Sequence, residues 1–367
     1  MASDRRLIKA VTAKEFVIVL PSLKISGGVL EALNLSRRII QLGGSSRILT
    51  MWESNYPVGA ENLSVMRISS RPAVPNRAFL DLPFLFMKFF MISERKKSAW
   101  IFTHYATLLF FFAVPRENRY IFVQDLEWRF VKRPALRALL KWFILFCYGR
   151  GKLITTNCYL SAELKREAGL ESCIAPVWAD RLFYEVGKSE RDIDILMVLR
   201  QGAHKRLDLY FSAIDFFAER SASCRLGVVT TEDIIARDLA SRDISTFLRP
   251  SGVKEMLSIY SRSKIMLHLS DHEGFALPPL EAMGSGCVPV CRNSGGPTVY
   301  LKNELEILLR PANEPIESVF ALCCELLEDH ARWESLSERC REAFRAGSAT
   351  VERSSRLAVA ELLAGNI

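Results

Sequence analysis

Cysteine motifs of metal or redox sites are missing from this sequence. Nine cysteines are spread over 367 residues without a C-x-x-C pair, and none stands with histidine at the spacing of zinc ligands. An odd, scattered set is typical of free thiols in a reducing compartment. We therefore expect a cytoplasmic protein without a cysteine metal site.

Long hydrophobic runs are also missing. The most apolar stretches are residues 79–92, 108–114 and 142–148, and charged residues interrupt the first of them. The other two fall well short of the ~20 residues that a membrane-spanning helix needs. The run at 16–20 is too short for a signal-peptide core and has no small-residue cleavage site behind it. The sequence predicts neither a transmembrane helix nor a secretory signal.

Acidic residues are scarce in one half of the chain. Residues 1–180 carry 26 Lys and Arg against 14 Asp and Glu, a net charge of +12. Residues 181–367 carry 23 against 27, a net charge of −4, which together give the +8 of the whole chain. This difference suggests two domains with different partners. The 49% of hydrophobic residues fits two folded domains in a chain of this length.

The basic residues of the first half alternate with aromatic ones on a segment with a helical pattern. The cations are Arg133, Arg137, Lys141, Arg150 and Lys152, beside Trp142, Phe143 and Phe146. An anionic membrane surface, bound peripherally from the cytoplasmic side, would suit this segment, 133–152. A core helix with a solvated polar face fits equally well. Nucleic acid fits less well, because no recognition-helix or RNA-binding signature accompanies the charge.

Strands and helices alternate in two series. Strands are predicted at 15–20, 47–52, 100–103, 120–123 and 153–155 and, after a polar linker at 185–192, at 193–199, 226–229, 244–248, 264–269 and 288–291. Helices are predicted at 28–42, 208–217, 253–261 and through Glu281. Such alternation indicates parallel sheets covered on both faces. We predict an α/β protein with two doubly wound, Rossmann-like domains that face a central cleft.

Ligands of such sheets bind beyond the carboxyl ends of the strands, where the first two candidate loops lie. Gly27 and Gly28 end the first loop and let its backbone approach a phosphate at a helix N-terminus. A Gly-Gly turn also occurs without any ligand, and the G-x-G-x-x-G spacing of a dinucleotide site is missing. After strand 193–199, Arg200 and Lys205 could both reach one diphosphate, or they are two solvated cations.

The third loop, D-H-E-G-F-A-L-P-P-L-E-A-M-G-S-G at 271–286, carries two glutamates. Glu273 lies on the loop, and Glu281 lies in the first turns of the helix that the prolines begin. Gly274 frees the loop backbone. Three amides could then bind a hydroxyl or phosphate oxygen, namely those of Phe275, Ala276 and Leu277. A carboxylate accepts hydrogen bonds from two vicinal hydroxyls, so the glutamates suit two polyol rings joined by phosphates.

The fourth loop, N-S-G-G-P at 293–297, is again rich in glycine at a strand end. It contributes Ser294, Gly295 and Gly296. An ordinary turn is the alternative explanation of this loop.

Residues 273–290, E-G-F-A-L-P-P-L-E-A-M-G-S-G-C-V-P-V, followed by N-S-G-G-P, resemble the signature of the group 1 retaining glycosyltransferases of the GT-B fold. Arg200 and Lys205 match the Arg-x4-Lys pair of that family, and Gly27-Gly28 match its N-terminal Gly-Gly loop. The order and spacing of these pieces fit, so the resemblance covers most of the chain. One departure is Arg206, which stands where relatives often have glycine.

The resemblance implies roles in the second domain. Glu281 would hold the ribose hydroxyls of a nucleotide-diphosphate sugar. Arg200 and Lys205 would neutralise the departing diphosphate, and Glu273, with the amides of the third loop, would grip the donor sugar. The signature of the fourth loop would complete the donor site.

In the first domain, the resemblance implies that Gly28 approaches the diphosphate. His104 would lie near the sugar, although a lone histidine is as often a packing residue. Gln124 and Asp125 would touch the acceptor. The domain limits would be 1–187 for the acceptor-side domain and 188–349 for the donor-binding domain, with a last helix at 350–367 that packs back on the first.

These features together favour a retaining glycosyltransferase that acts on a glycan or lipid-linked acceptor. The stretch F-V-Q-D-L-E-W at 122–128 is similar to bacterial rhamnosyltransferases of surface-polysaccharide assembly. We expect no metal or other cofactor, because Asp192-Ile-Asp194 has Asp-x-Asp spacing but precedes a strand. The alternatives are a sugar-nucleotide epimerase of the same fold and a non-catalytic basic module for membrane or nucleic acid.

Overall fold

The computed structural model describes residues 15–24, 26–52, 62–69, 78–92, 96–185, 187, 189–220, 224–242 and 244–367, with side chains in the segment 78–92 from residue 83 onward. Residue 25 of the first predicted loop and residues 186 and 188 of the predicted linker lie outside these ranges. The chain divides into unit 1, residues 1–177 with 352–367, and unit 2, residues 178–351.

Unit 1 is built on a parallel sheet that, within the described residues, has the strand order β3-β2-β1-β4-β5-β6-β7. The strands are β1 (Glu15–Leu20), β2 (Ser45–Thr50), β3 (Val65–Arg67), β4 (Ala99–Phe102), β5 (Arg119–Val123), β6 (Lys152–Thr155) and β7 (Cys173–Ile174). Successive residues of β1, β4 and β5 are buried, so both faces of the central sheet are covered.

The helices of unit 1 follow its strands. They are α1 (Gly27–Gln41), α2 (Ala78–Phe90), the 3-10 helix Thr107–Ala113, α3 (Pro134–Tyr148) and α4 (Cys158–Ala168). Ser26 caps α1 by accepting a hydrogen bond from the Val29 amide at 3.3 Å. Helix α1 therefore begins at the predicted Gly-Gly pair.

Unit 2 repeats this plan with a parallel sheet of strand order β10-β9-β8-β11-β12-β13 among the described residues. The strands are β8 (Ile193–Val198), β9 (Leu226–Val229), β10 (Thr246–Leu248), β11 (Ser263–His268), β12 (Val288–Arg292) and β13 (Leu309–Arg310). The helices are α5 (Leu207–Arg220), α6 (Asp233–Leu239), α7 (Val253–Ser261), α8 (Leu277–Gly284), α9 (Ile316–Glu328) and α10 (His330–Ala364). The predicted α/β class with two parallel, doubly wound sheets is confirmed.

The last helix is longer than the sequence pattern indicates. Helix α10 has 35 residues, whereas only 351–363 read as helical. Its residues from 352 onward cluster with unit 1, where the Arg38 guanidinium donates to the Ser355 hydroxyl at 2.7 Å. The division after residue 177 lies ten residues before the predicted limit at 187. Among the described residues, no helix combines the length and apolarity that crossing a bilayer requires.

Candidate functional site

The third and fourth predicted loops lie side by side at the carboxyl ends of β11 and β12. The Glu273 amide donates to the Ser294 carbonyl at 2.9 Å, and the Gly296 amide donates to the Glu273 carbonyl at 3.0 Å. Because β11 and β12 are neighbours in the sheet, their loops leave the same edge and pair there. The structure thus brings Glu273 together with Ser294–Gly296.

Glycine at 296 is required by the approach of the two loops. A Cβ atom at this position would lie 2.7 Å from the N, Cα and C atoms of Phe275. Ala276 takes the left-handed conformation, with φ of 64°, and its carbonyl accepts from the Tyr300 hydroxyl at 2.8 Å. Within the described ranges, the amides of Phe275, Ala276 and Leu277 donate to no acceptor, so they are available at the start of α8.

Glu273 and Lys205 form a buried ion pair. The Lys205 Nζ donates to Glu273 Oε1 at 2.7 Å, and the Glu273 side chain is only 11% exposed. Burial raises the pKa of this carboxyl, but the Lys205 ammonium, the His268 ring and hydrogen bonds from Lys205 and Ser270 more than offset it and lower the pKa to about 2. Glu273 is therefore a carboxylate at neutral pH.

Glu281 lies in the opposite electrostatic environment. Burial raises its pKa to about 7, while a hydrogen bond from the Tyr260 hydroxyl at 3.0 Å and the nearby Arg200 charge work against this rise. Arg200 is exposed and, among the described residues, makes no hydrogen bond or ion pair. The predicted ribose ligand and one of the two predicted diphosphate ligands are thus close enough to interact.

The loop that carries Lys205 is tied to the loop that carries Glu273. The Asp271 amide donates to the His204 carbonyl at 2.8 Å, and Arg206 donates to Asp271 at 3.1 Å. Arg206 takes the left-handed conformation, with φ of 53°. Glycine adopts this conformation most easily, which fits the glycine that relatives often have at this position. In this chain, Asp208 and Asp271 hold the arginine instead.

The sequence analysis missed one side chain of this site, His268, and did not foresee the environment of another, Ser294. His268, the last residue of β11, is buried, and its Nε2 lies 3.7 Å from Glu273 Oε1. Burial lowers the pKa of His268 to about 4, so the ring is neutral at pH 7. The Ser294 hydroxyl is buried and has no hydrogen-bond partner in the part of the chain that the structure describes. A buried histidine in a strand has no signature in a single sequence.

In unit 1, the structure brings Gly28 and Gln124 together. The Gln124 Nε2 donates to the Gly28 carbonyl at 2.9 Å. A Cβ atom at Gly28 would lie 2.3 Å from Gln124 Oε1, so this contact requires glycine unless the glutamine moves. The predicted phosphate-binding and acceptor-side residues of unit 1 are therefore neighbours at the carboxyl ends of β1 and β5.

His104 lies beside a carboxyl that the sequence analysis did not select. Its Nδ1 accepts from the Ala106 amide at 3.2 Å, and its Nε2 lies 3.4 Å from Glu127 Oε1. The other Glu127 oxygen accepts from the Tyr105 amide at 2.7 Å. Burial lowers the pKa of His104 to about 4 and raises that of Glu127 to about 8. Both residues line one pocket with Thr103, Gln124 and Asp125.

The Asp-x-Asp pair lies at the start of β8. The carboxylate of Asp192 pairs with Arg262, and that of Asp194 pairs with Arg225 at 3.0 Å and with Lys264 at 2.8 Å. Arg200 and Lys205 follow the other end of the same strand. These two aspartates are therefore held in ion pairs away from the site of unit 2.

A family model described as glycosyl transferases group 1 matches residues 180–346. A putative glycosyltransferase 41 of Sulfolobus islandicus filamentous virus is 37% identical over 86 residues, 23% of this chain and 25% of its own. D-inositol 3-phosphate glycosyltransferase of Saccharomonospora viridis is 30% identical over 98 residues, 27% of this chain and 23% of its own. The chain thus aligns with about a quarter of the length of these curated relatives.

Solved structures resemble the whole chain. Sucrose-phosphate synthase from Thermosynechococcus elongatus covers 94% of this chain and 98% of its own, with a TM-score of 0.73 and 15% identity. WaaG, a glycosyltransferase involved in lipopolysaccharide biosynthesis, covers 95% of this chain and 99% of its own, with a TM-score of 0.70 and 13% identity. HepE of Anabaena, solved with UDP-glucose, covers 96% of this chain and 98% of its own, with a TM-score of 0.71 and 13% identity. At these identities the likeness shows the two-domain fold.

Proposed function

We propose that this chain, whose residues 180–346 match the family model of the group 1 glycosyltransferases, is a member of that family and moves a sugar from a nucleotide-diphosphate donor to a glycan or lipid-linked acceptor. We propose further that the anomeric configuration is retained and that the product enters bacterial polysaccharide or lipopolysaccharide synthesis. The similarity to WaaG supports the pathway, and the UDP-glucose in HepE supports the class of donor.

The observation that carries this proposal is the set of charges at the carboxyl ends of β8 and β11. Arg200 lies within electrostatic reach of Glu281, and Lys205 is bonded to Glu273. Because β8 and β11 are adjacent in the sheet, one elongated ligand could meet all four side chains. A nucleotide-diphosphate sugar has diols at both ends and two negative charges between them, which matches this order.

Cleavage of the donor builds negative charge on the diphosphate, and fixed positive groups stabilise it. Arg200 and Lys205 would supply that charge, together with the amides of Phe275–Leu277 at the start of α8. Glu281 would accept hydrogen bonds from the ribose hydroxyls. Ser294 would donate its buried hydroxyl to the donor, with Gly295 and Gly296 leaving room for it.

Glu273 would bind the hydroxyls of the donor sugar rather than attack its anomeric carbon. Its carboxylate is already held by Lys205. The departing phosphate would then take the proton of the acceptor hydroxyl on the same face of the sugar. The residues of unit 1, Gly28, His104, Gln124 and Asp125, would position the diphosphate, sugar and acceptor.

The experiment is a transfer assay with radiolabelled nucleotide sugars and extracted glycolipids. A donor is first chosen by a thermal-shift screen, because a bound ligand raises the apparent stability. Transfer labels the acceptor, whereas an epimerase converts the donor and leaves the acceptor unlabelled. Activity should persist in EDTA, since we propose that no metal takes part. Glu281→Ala should abolish donor binding, and unchanged binding in that variant would refute the proposed site.

A further inference from the structure

Three apolar segments that are far apart in the sequence meet on one side of unit 1. They belong to helix α2, the 3-10 helix Thr107–Ala113 and helix α3. The rings of Phe86 and Phe110 stack with centroids 6.3 Å apart, and those of Phe112 and Phe146 lie 5.9 Å apart. Trp142 stacks on Phe146 at 5.5 Å. Aromatic contacts therefore join α2 to the 3-10 helix and the 3-10 helix to α3.

Only one side of this group is buried. Leu85, Phe89 and Ile144 enter the core of unit 1, whereas the outer side chains remain in contact with solvent. Among the described residues of the three segments, the exposed large apolar side chains, here named the apolar face, are Phe84, Phe86, Met87, Phe90, Met91, Leu109, Phe112, Leu136, Leu139 and Trp142. Trp142 is 63% exposed and Leu139 is 62% exposed. An exposed apolar group of this size marks an interaction surface.

Positive charge surrounds the apolar face. Residues 128–162 contain seven lysines and arginines and no aspartate or glutamate, and five of the seven remain after Arg129 and Lys141 pair with Glu163 and Glu167. Every residue from 132 to 139 is exposed, so Lys132, Arg133 and Arg137 project into solvent beside Leu136 and Leu139. Further cations lie over two rings of the face and over Phe146, on which Trp142 stacks. They are Lys88 over Phe84 at 4.6 Å, Arg119 over Phe112 at 5.5 Å and Arg150 over Phe146 at 3.6 Å.

We infer that the apolar face docks unit 1 onto an anionic lipid surface, with the side chains of α2, the 3-10 helix and α3 inserted at the headgroup boundary. Apolar insertion combined with basic side chains that reach the headgroups is the chemistry of interfacial proteins. A symmetric dimer through this face would bring the same cations together across a two-fold axis, which opposes association. Charge complementarity therefore favours lipid over a second copy of the chain.

The surface extends beyond the helical segment 133–152 that the sequence indicates, because α2 and the 3-10 helix contribute most of its apolar side chains. The inference rests on the proposed function only for its purpose, which is to hold the enzyme at a lipid-linked acceptor. Vesicle binding needs neither donor nor acceptor. Docking and sugar transfer can therefore fail independently of each other.

The test is flotation of the full-length protein with two kinds of vesicle. One contains phosphatidylcholine only, and the other contains about 30 mol% phosphatidylglycerol. We expect strong flotation with the anionic vesicles and at least a tenfold lower partition coefficient with the neutral ones. The triple variant Lys132→Gln, Arg133→Gln and Arg137→Gln should bind the anionic vesicles at least thirtyfold more weakly, because each basic residue near such a surface contributes about a fivefold factor.

A second triple variant, Leu136→Ser, Leu139→Ser and Trp142→Ser, should also lose binding while it remains folded, since all three side chains are exposed. The matched control is Ile234→Ser, Phe247→Ser and Ile307→Ser, which changes three similarly exposed apolar residues of unit 2 and should bind like the wild type. Wild-type protein that stays unbound with anionic vesicles would overturn the inference. So would a dimer, seen by light scattering, that the Leu136, Leu139 and Trp142 variant separates while lipid binding is unaffected.

Discussion

At the scale of single residues, the two glutamates of the proposed donor site differ in charge for reasons that the structure makes explicit. Lys205 keeps Glu273 ionised far below neutral pH, whereas burial brings the pKa of Glu281 to about 7. Glu273 is therefore a permanent part of the electrostatics of the site. Glu281 changes its charge within the range in which the enzyme is expected to work.

The Glu273 pair should stabilise the fold in a pH-dependent way. Because its folded pKa is about 2 against an ordinary value of 4.5, its contribution is present above pH 4.5 and is lost as pH falls towards 2. This contribution to the free energy of unfolding is on the order of 3 kcal/mol. Urea unfolding of Glu273→Gln should show lower stability at neutral pH and a flatter loss in acid.

The control for this pair is Asp192→Asn, which removes a partly exposed ion pair with Arg262. This substitution should lower the free energy of unfolding by less than about 1 kcal/mol, because exposed ion pairs contribute little to stability. If Glu273→Gln and Asp192→Asn behave alike at neutral pH, the buried pair does not have the importance assigned to it.

Nucleotide-sugar binding should depend on the charge of Glu281. The carboxylate accepts hydroxyl hydrogen bonds, so affinity should rise as pH increases through about 7. Tyr260→Phe removes the hydrogen bond that favours the carboxylate, and the transition should move up by about one pH unit. Titration calorimetry with the donor from the thermal-shift screen measures both effects. Glu281→Gln should bind weakly with no such transition, and a transition that persists there would assign it to another group.

Residue identity alone pointed to most of this site. Glutamates, cations and glycines at strand ends are visible in a sequence, as are the motifs that they form. His268 and Glu127 were missed because their importance comes from burial and from the groups they face, Glu273 and His104. Ser294 was selected as part of a glycine-rich turn, but its buried, unbonded hydroxyl could be seen only in three dimensions.

At the scale of elements, the proposed donor site depends on how closely two loops approach. Gly296→Ala would place a Cβ atom against the backbone of Phe275, so the loop must move away and the amides of Phe275–Leu277 lose their position. We expect at least a tenfold loss of donor affinity by calorimetry, with overall stability lowered by about 1–3 kcal/mol. Gly187→Ala is the control, because a Cβ atom there meets open space and should change neither property. Equal affinity in both variants would show that the loop contact is not needed.

The strands were predicted better than the helices. Buried parallel strands read as short apolar runs, and β1, β9 and β12 begin at the expected residue. Strands β3, β7 and β13 have only two or three residues, too few for a pattern. Helix α2 was read only as an apolar stretch because Pro83 interrupts it and most of its face is apolar. Helix α10 was seen only in part, because it is largely polar and contains Gly347.

At the scale of the whole molecule, the two units contain different sets of buried ionisable groups. In unit 2, burial lowers the pKa values of His204 and His268 to about 4 and raises that of Glu281 to about 7. In unit 1, burial lowers the pKa of His104 to about 4 and raises that of Glu127 to about 8. Among the described residues, unit 2 therefore has one more histidine with a lowered pKa than unit 1, the partly buried His204.

This difference predicts that unit 2 loses stability first in mild acid. A histidine with a lowered pKa stabilises the fold above its ordinary value of 6.5, and this contribution is lost as pH falls towards 4. A carboxyl with a raised pKa acts in the opposite sense, since its contribution is full below 4.5 and is lost as pH rises through the folded pKa. Between pH 4.5 and pH 6.5, acidification costs unit 1 the contribution of His104 but restores that of Glu127, so the two effects on its stability cancel. In unit 2, a second histidine titrates beside His268 and Glu281, so acidification leaves a net loss of stability.

The net loss in unit 2 should stay below about 1 kcal/mol per pH unit, because the unfolded chain binds at most one more proton there than the folded unit does and solvent screens the partly exposed His204. Hydrogen exchange at about pH 7 and about pH 5, corrected for the intrinsic rates, should show protection falling in β8, β11 and β12 before it falls in β1, β4 and β5. His204→Gln should remove the extra proton, so that hydrogen-exchange protection falls at more similar pH values in the two units. Protection that falls first in unit 1 would mean that other titrating groups, and not these buried histidines, set the acid response of the molecule.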